Sequence, residues 1–585
     1  MNQLILLIPF AIALLTSVVS KKISYISLII SSLILGVYAI IYTGINELTF
    51  FYLIASIVII VSSWYSIRYD KKYRWLAPLF ASAVFGIIII LLSYNSLQFL
   101  AGWELMSISG YLMIGLNKNK ANPAFIFSAF SELSTVLLIA GMAYAYVLTG
   151  TFNFVLIPSI MPLILMSVGF FIKMGIVPFM IADWLPIAHR NAPSNASAIF
   201  SALMTLMGVF GLIKFTLLSP GSMSLGVVLM GIGAFSVFFA ALFEYVSEST
   251  KLLLGYSTIE NNGAILVAVG LLITNLSGIM DVFIIYTILM LSLAHSISKT
   301  GLFLMSGSLD SEDMDTINNS KDPTSTLGNI LVSASLSGLL PTIGGVAIWM
   351  LLETLFITAT ISSWIAIPAL IIGSLIALGE GIVSGAMIKF ISFTQLFRNG
   401  KAKKPTNIYP ILFAGILVFA LGLGSVLIIN PAFITGLIKV GIPNGLLIQS
   451  LTSSKTTFGA IAPIFIAIFI SIFTLLALVF FRKPKIRRSP VWNNGIEDMA
   501  GYTSFAFANN MRIMMGKILQ TNTDTSSKDN ATRNIFWDLI VKYAKLYQNI
   551  ARSLTWNIMN SSIRSYVSYL VIAFIFVIVF VTLTN

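Results

Sequence analysis

The sequence predicts an all-α integral membrane protein of about sixteen transmembrane helices, two of them broken, with a C-terminal amphipathic lateral helix and a final anchor helix. Of its 585 residues, 57% are hydrophobic and only 9% are charged, whereas soluble domains carry about a quarter of charged residues. Apolar runs of roughly 20 residues, long enough to cross a bilayer, recur along the chain. Most of its surface must therefore face lipid.

Charge and composition exclude several function classes. The formal net charge is +13, but the basic residues cluster in short loops such as 68–74, 398–404 and 482–488. That distribution is typical of cytoplasmic loops under the positive-inside rule, so we expect no nucleic-acid partner. The chain has no cysteine and two histidines, which excludes thiolate-bound iron–sulfur clusters and a typical zinc site. We expect no cofactor and no metal in this chain, and no GxxxxGK[ST] phosphate loop is present.

Hydropathy predicts the positions of the spans, and loop charge predicts their orientation. The apolar runs lie near 3–19, 23–43, 48–67, 76–93, 96–116, 125–149, 160–178, 196–218, 224–247, 252–274, 281–306, 327–361, 365–393, 408–430, 459–481 and 566–584. The run 327–361 is too long for one straight span and contains Pro341, Gly344 and Gly345. Counting it as one interrupted crossing keeps the basic loops inside and both termini outside.

A second break is predicted at 178–195, where Pro178, Pro186 and Pro193 interrupt a helix. Backbone groups freed in this way are tolerated in a membrane only when they are buried in protein or line a cavity. Broken helices beside intramembrane charge are a recurrent device of ion transporters.

Five regions follow from this pattern. They are N-terminal transmembrane helices (1–75), a translocation core (76–480), a cytoplasmic loop (481–530), an amphipathic lateral helix (531–563) and an anchor helix (566–585). The lateral helix has apolar residues at a spacing of three and four with charged residues opposite. It is suited either to the membrane surface or to packing against cytoplasmic loops of the same chain.

Ionisable residues inside the predicted spans are the candidate functional groups, since burying charge in a bilayer is costly. They are Glu104, Glu132, Lys173, Glu244, Glu260, His295, Lys299, Glu353, Glu380 and Lys389. Burial favours the neutral form of a lysine amine and a nearby carboxylate favours the charged form, so a Lys–Glu pair can carry protons. The alternative is a structural ion pair. Glu244 and Lys214 lie near span ends, where we expect snorkelling to the interface.

Several motifs resemble those of the antiporter-like subunits of respiratory complex I, group 4 membrane hydrogenases and Mrp cation/proton antiporters. They are FLAGWELMSISGYLMIG (99–115), FFIKMGIVPFMIADWLPIAHRNAPSNASAIFSALM (170–204), KLLLGYSTIENNGAIL (251–266), LAHSISKTGLFLMSG (293–307) and SGLLPTIGG (337–345). The tail PVWNNGIEDMAGYTSFAFANNMRIMMG (490–516) is similar to the hydrogenase-4 component B and formate hydrogenlyase branch. That branch usually has a cysteine where this chain has Asn494.

The resemblance implies roles for individual residues. Glu104 matches the family's essential glutamate and Lys173 its switching lysine, while Lys389 matches the terminal lysine that hands the proton onward. The remaining proton-relay candidates are Glu132, Lys251, Glu260, His295, Lys299 and Glu380. His295 and Lys299 match an HxxxK element, Lys251 and Glu260 fall in the YST segment, and we expect Glu380 to act with Lys389.

Two positions depart from the family pattern. Leu206 occupies the place of a lysine in the span after the first break. Ala347 and Ile348 precede Trp349 where the family has Ser-Glu or Ser-Lys. The first departure predicts a gap in the relay between Lys173 and the later half, which water or Lys299 could bridge.

The resemblance implies a proton-translocating subunit of a membrane-bound oxidoreductase complex in the plasma membrane of a prokaryote. Its partners would be other membrane subunits and, through them, a redox peripheral arm, and its ions would be protons or Na⁺. This chain itself carries no redox chemistry. The alternatives are a subunit of a multisubunit Na⁺/H⁺ antiporter and a membrane anchor with impaired pumping.

Overall fold

The computed structural model divides the chain into two compact units, Met1–Gly516 and Lys517–Asn585. The residues that the structure describes are 3–41, 46–70, 73–116, 121–176, 184–274, 278–318, 322–361, 363–396, 407–425, 448–449, 460–461, 463–480, 503–519, 542, 545–550 and 552. Every statement below concerns these residues.

The first six helices precede the first break. After a short 3₁₀ turn at Gln3–Leu6 they are α1 (Leu7–Val19), α2 (Lys21–Ile41), α3 (Phe50–Tyr69), α4 (Leu76–Leu92), α5 (Ser96–Gly115) and α6 (Ala121–Thr149). The outer sides of α1 and α2 are rich in exposed apolar residues such as Leu15, Val19 and Ile41. Such a surface suits lipid or another membrane chain and not water.

In the structure the helix that carries Lys173 ends before the predicted break at 178–195, whose residues 178–183 lie outside the described residues. Helix α7 (Met161–Met174) ends at Gly175, whose φ of 75° lies in the left-handed region that glycine adopts without strain. The chain resumes as α8 (Trp184–Asn191), α9 (Ser194–Ile199), a π-helical turn (Phe200–Met204) and α10 (Thr205–Leu218). The Trp184 indole donates to the Ile172 carbonyl at 3.1 Å, which pairs one of the acceptors that the break frees.

Helices α11 (Met223–Val246), α12 (Thr250–Thr274) and α13 (Gly278–Ser308) follow. Helices α11 and α12 pack closely because Gly233 faces Gly263: a Cβ at Gly233 would lie 2.6 Å from the Gly263 carbonyl oxygen. Space is open at the neighbouring Gly231. Small residues of this kind let membrane helices approach closely.

The second break separates α14 (Pro323–Leu336) from α15 (Ile343–Ile361), with Gly338 at a φ of 63° and a cis Leu340–Pro341 peptide between them. Next come α16 (Ser363–Ile391), a π-helical turn (Ser392–Leu396) and α17 (Ile408–Leu423).

Hydrogen bonds fix the register of α14 against α16. The Asn329 amide donates to Thr394 at 3.0 Å, and Ser384 donates to the Ser337 carbonyl at 3.3 Å. Helix α14 therefore runs antiparallel to the second half of α16 and stops part-way along it. That α14 and α15 form one interrupted crossing stays a prediction from loop charge.

The remaining described elements are short or isolated. Strands β1 (Ile448–Gln449) and β2 (Ala460–Ile461) pair antiparallel, and α18 spans Pro463–Phe480. Within the predicted 481–530 loop lie α19 (Ser504–Phe507), α20 (Asn509–Met514) and α21 (Gly516–Leu519).

In the second unit, residues 542, 545–550 and 552 are helical. They belong to the predicted lateral helix at 531–563. The rest of that segment and the predicted anchor at 566–585 lie outside the described residues.

The predicted membrane class is confirmed. Among the described residues, ten helical stretches are long and apolar enough to cross a membrane, accompanied by the shorter apolar helices α1, α4, α7 and α17. The number of about sixteen crossings stays a prediction.

Candidate functional site

One group of buried ionisable residues surrounds Lys173 on α7. The Lys173 amine is 1% exposed and donates to the hydroxyls of Ser107 at 2.8 Å and Ser131 at 3.2 Å. It also lies 5.2 Å from the centroid of the Trp103 ring, within the range of a cation–π contact. Hydroxyls and an aromatic face stabilise a charged amine without fixing it as a permanent salt bridge.

The carboxylates of this group lie towards its edge. Glu104 on α5 and Glu132 on α6 both interact electrostatically with Lys173. Glu104 is half-buried, while Glu132 is exposed on the outer side of α6. The Lys173 group (Glu104, Ser107, Ser131, Glu132 and Lys173) thus joins the interior to the outer surface of this chain.

Neutral polar residues lie between Lys173 and His295. The Asn262 amide on α12 donates to the Met174 carbonyl at 2.8 Å, next to Lys173. The hydroxyls of Ser201 and Thr258 lie 2.7 Å apart, and the Ser201 carbonyl lies 3.2 Å from His295 Nε2. The predicted gap is therefore a stretch without charge but with hydrogen-bonding groups.

A second group lies around Lys299 on α13. Lys299 and Glu244 are both 0% exposed, and Glu260 is 1% exposed. The Lys299 amine donates to the Leu254 carbonyl at 3.1 Å and interacts electrostatically with Glu244 and Glu260. Glu260 also accepts a short hydrogen bond from the Asn261 amide.

Glu380 on α16 belongs to the same group. Its carboxylate interacts with those of Glu260 and Glu244, and it lies beside the second break, where a Cβ on Gly338 would be 3.3 Å from Glu380 Oε2. Ile348, at the second departure from the family pattern, lies on the same side of Gly338. A carboxylate from α16 thus stands near the position where the family has a charged residue. We name Glu244, Glu260, Lys299 and Glu380 the Lys299 group.

Two lysines lie at one end of the bundle, which we name the loop-247 face because it contains residues 247–249. There the Thr250 amide donates to the Glu312 carbonyl at 2.8 Å, so α12 begins where α13 ends. Lys251 forms a 2.7 Å ion pair with Glu312 and donates to the Ala192 carbonyl at 2.8 Å. Glu312 is 40% exposed while Lys251 is 6% exposed, so this pair connects water to the interior.

Lys389 reaches the same face from α16. Its amine is 0% exposed and donates to the carbonyls of Tyr245 at 2.9 Å and Ser247 at 2.6 Å. Its charged neighbours are Arg512, Glu248 and Asp315.

The structure corrects three expectations, on the partner of Glu380 and on the snorkelling of Glu244 and Lys214. Glu380 lies nine residues before Lys389, about 13 Å along the helix, and contacts the Lys299 group instead of acting with Lys389. Glu244 does not snorkel, because close packing of α11 on α12 leaves it 0% exposed. Lys214 does not snorkel either: it is 8% exposed and donates to the Ser93 carbonyl at 2.8 Å.

Sequence reasoning missed His189 and Arg512. His189 on α8 is 0% exposed, stacks on Phe303 with centroids 4.6 Å apart, and interacts with Lys251, Lys299 and His295. It therefore lies between the surface pair at Lys251 and the Lys299 group. Its place in the IAHRNAPS turn after the break could have indicated it. Arg512, far along the chain, gave no sequence signal.

Part of this chain matches a known protein family. Residues 93–322, which carry Glu104, Lys173, Glu260 and Lys299, match the family described as NADH:quinone oxidoreductase/Mrp antiporter, TM. This part of the chain is therefore similar to the membrane region of that family. The match contains both the first break and the Lys299 helix of the antiporter-like region.

Curated relatives match similar regions. Hydrogenase-4 component B of Escherichia coli is 28% identical over 335 residues, which is 52% of this chain and 50% of that protein. Formate hydrogenlyase subunit 3 of Escherichia coli is 27% identical over 328 residues, or 53% and 52% of the two chains. The alignments thus span about half of the length of these relatives.

Solved structures extend the likeness in fold beyond that region. A chain of the membrane-bound sulfane sulfur reductase, an archaeal respiratory membrane complex, aligns over 99% of both chains with a TM-score of 0.79 and 18% identity. A chain of respiratory complex I from Thermus thermophilus aligns over 73% of this chain and 96% of that chain with a TM-score of 0.62 and 17% identity. At these identities the likeness concerns the fold alone.

Proposed function

We propose that this chain is a proton-translocating, antiporter-like subunit of a membrane-bound respiratory or hydrogenase-type oxidoreductase complex. The observation that carries the proposal is the set of three buried lysines, Lys173, Lys299 and Lys389, with neutral hydrogen-bonding residues between the first two. The first two have carboxylates as neighbours. Isolated structural ion pairs would not need the neutral hydrogen-bonding residues that lie between them.

In this mechanism Glu104 and Glu132 set the protonation of Lys173. When a carboxylate is charged, it holds the proton on the amine; when it is neutralised, the buried amine releases the proton. Asn262, Thr258, Ser201 and His295 hold the connection to Lys299. The proton then reaches the loop-247 face through His189 and Lys251 or through Lys389.

The partners follow from the same proposal. The chain carries no cysteine, so electron transfer would belong to other subunits, and other membrane subunits would link this chain to a redox peripheral arm. By the positive-inside rule the loop-247 face would be cytoplasmic, and the membrane would be the plasma membrane of a prokaryote. A subunit of a Na⁺/H⁺ antiporter is the second candidate, supported by the Mrp part of the family description; it would transport without an electron donor.

The test is Lys173→Met in the purified complex reconstituted into proteoliposomes, with proton uptake measured per electron transferred. We expect proton uptake to fall by at least about tenfold, while electron transfer in the partner subunits continues. Lys214→Met is the matched control, because Lys214 is also a buried lysine but bonds the Ser93 carbonyl. Wild-type proton stoichiometry in Lys173→Met would contradict the proposal.

A further inference from the structure

The C-terminal segment 503–515 lies over the buried end of Lys389. We propose that this segment is a cover on a proton-exchange port, in which Glu248 passes protons between water and Lys389 while Arg512 positions Glu248. This inference rests on the proposed function and deepens it.

Lys389 needs a proton acceptor that its own hydrogen bonds do not supply. Its amine donates to two backbone carbonyls at the C-terminal end of α11, those of Tyr245 and Ser247. Carbonyls at a helix C-terminus stabilise a cation, but they cannot take the proton from an amine at ordinary pH. The acceptor must therefore be a titratable side chain near Lys389.

Glu248 fits that requirement better than Asp315. It is the residue after Ser247, interacts electrostatically with Lys389, and its side chain is 41% exposed. Asp315 is the other carboxylate near Lys389, but its two oxygens accept from the Ser504 amide at 2.8 Å and the Ser504 hydroxyl at 2.9 Å. Asp315 thus anchors the segment, and Glu248 keeps contact with water.

Arg512 holds Glu248 in place. The guanidinium donates to Glu248 Oε1 and to the Val246 carbonyl, both at 2.7 Å, and to the Phe505 carbonyl at 2.9 Å. Arg512 is 4% exposed, with its guanidinium carbon 3.8 Å from the centroid of the Phe505 ring. Because an arginine does not release its proton in proteins, it cannot be the exchanger. It acts as a fixed charge between Glu248 and the end of α11.

The cover is completed by Phe507. Its ring packs against Tyr245 with centroids 5.9 Å apart and against Phe393 at 6.3 Å. Tyr245 supplies one of the two Lys389 acceptors, and Phe393 lies four residues beyond Lys389. The segment therefore seals the amine from water on the side where Glu248 meets solvent.

The first experiment measures proton uptake by the reconstituted complex with Glu248→Gln, in buffers of low and high MES concentration. We expect uptake to slow by about tenfold in low buffer and to recover at high MES, because a mobile buffer can replace the exchanging carboxylate. Glu248→Asp should retain most of the rate. Glu47→Gln, in the loop before α3 at the opposite face, is the matched control.

The outcomes separate this inference from the proposed function. Lys389→Met should stay inactive at every MES concentration; wild-type uptake in that variant would overturn the role of Lys389 itself. The port assignment is wrong if Lys389→Met is inactive while Glu248→Gln takes up protons at the wild-type rate. It is also wrong if Glu248→Gln is slow and high MES does not restore its rate. In both cases the proposed function stands.

A second experiment tests the cover without relying on transport. The chain has no cysteine, so Ser247→Cys introduces a single thiol beside Lys389. We expect a membrane-impermeant methanethiosulfonate to label it at least about tenfold faster when Phe507 is also changed to Ala, whereas labelling of the exposed control Asp313→Cys should not change. Equal labelling of Ser247→Cys with and without Phe507 would overturn the cover.

Discussion

The Lys173 group and the Lys299 group use the same residue types in different surroundings. Around Lys173 the nearest donors and acceptors are hydroxyls and an aromatic ring, and the carboxylate of Glu132 is exposed. Around Lys299, Glu244 and Glu260 are almost fully enclosed, and Glu380 adds a third carboxylate. The first group includes an exposed carboxylate, whereas the carboxylates of the second are buried at Glu244 and Glu260 and half-buried at Glu380.

The two groups also differ in their numbers of amines and carboxylates. The Lys299 group has one amine for three carboxylates, so its net charge depends on how many protons it holds. The Lys173 group has one amine for two carboxylates, one of them at the surface. We infer that the Lys299 group stores protons and that the Lys173 group controls their movement.

The largest expected effect that sharpens this comparison is on stability. Lys299→Met would leave three carboxylates in the core without their cation, at a cost of roughly 3 kcal/mol. Lys173→Met should cost less, because Glu104 and Glu132 lie nearer the surface. Thermal unfolding of the two variants in the same detergent measures this order, and a larger loss in Lys173→Met would contradict the comparison.

A smaller effect is expected when a polar residue between the Lys173 group and the Lys299 group is replaced. Asn262→Leu removes the donor to the Met174 carbonyl and leaves a buried acceptor unpaired. This should lower the free energy of unfolding by about 1–3 kcal/mol. We expect slower proton uptake with both lysines intact. Ser292→Ala is the control, because its buried hydroxyl makes no hydrogen bond among the described residues. Unchanged uptake in Asn262→Leu would mean that the groups work independently.

The smallest expected effect is a difference in chemical access. Dicyclohexylcarbodiimide, which partitions into apolar phases, should modify Glu132 several-fold faster than Glu260 in the detergent-purified chain. Peptide mass spectrometry gives both rates in one sample, and Glu132→Gln identifies the modified site. Equal rates would show that the Lys299 group is as open as the Lys173 group.

Both helix breaks were predictable because proline and glycine act locally. Pro186 and Pro193 follow the first break, and Gly338 with Pro341 marks the second. That α14 and α15 form a single crossing stays a prediction, which depends only on the parity of the crossings between charged loops. Only the structure shows the hydrogen-bond donors to the carbonyls at the end of α7, such as Trp184 and Asn262. These donors come from other helices, so the local sequence does not reveal them.

The sequence by itself determined that this is an all-α membrane protein with buried lysines and glutamates, because hydropathy and intramembrane charge are properties of local composition. Only the tertiary structure decided which of these residues meet. Glu244 and Glu380 join Lys299, and Arg512 reaches Glu248 from 264 positions away. The physical reason is that each grouping depends on how helices rotate and align against one another, and that is set by packing such as Gly233 against Gly263.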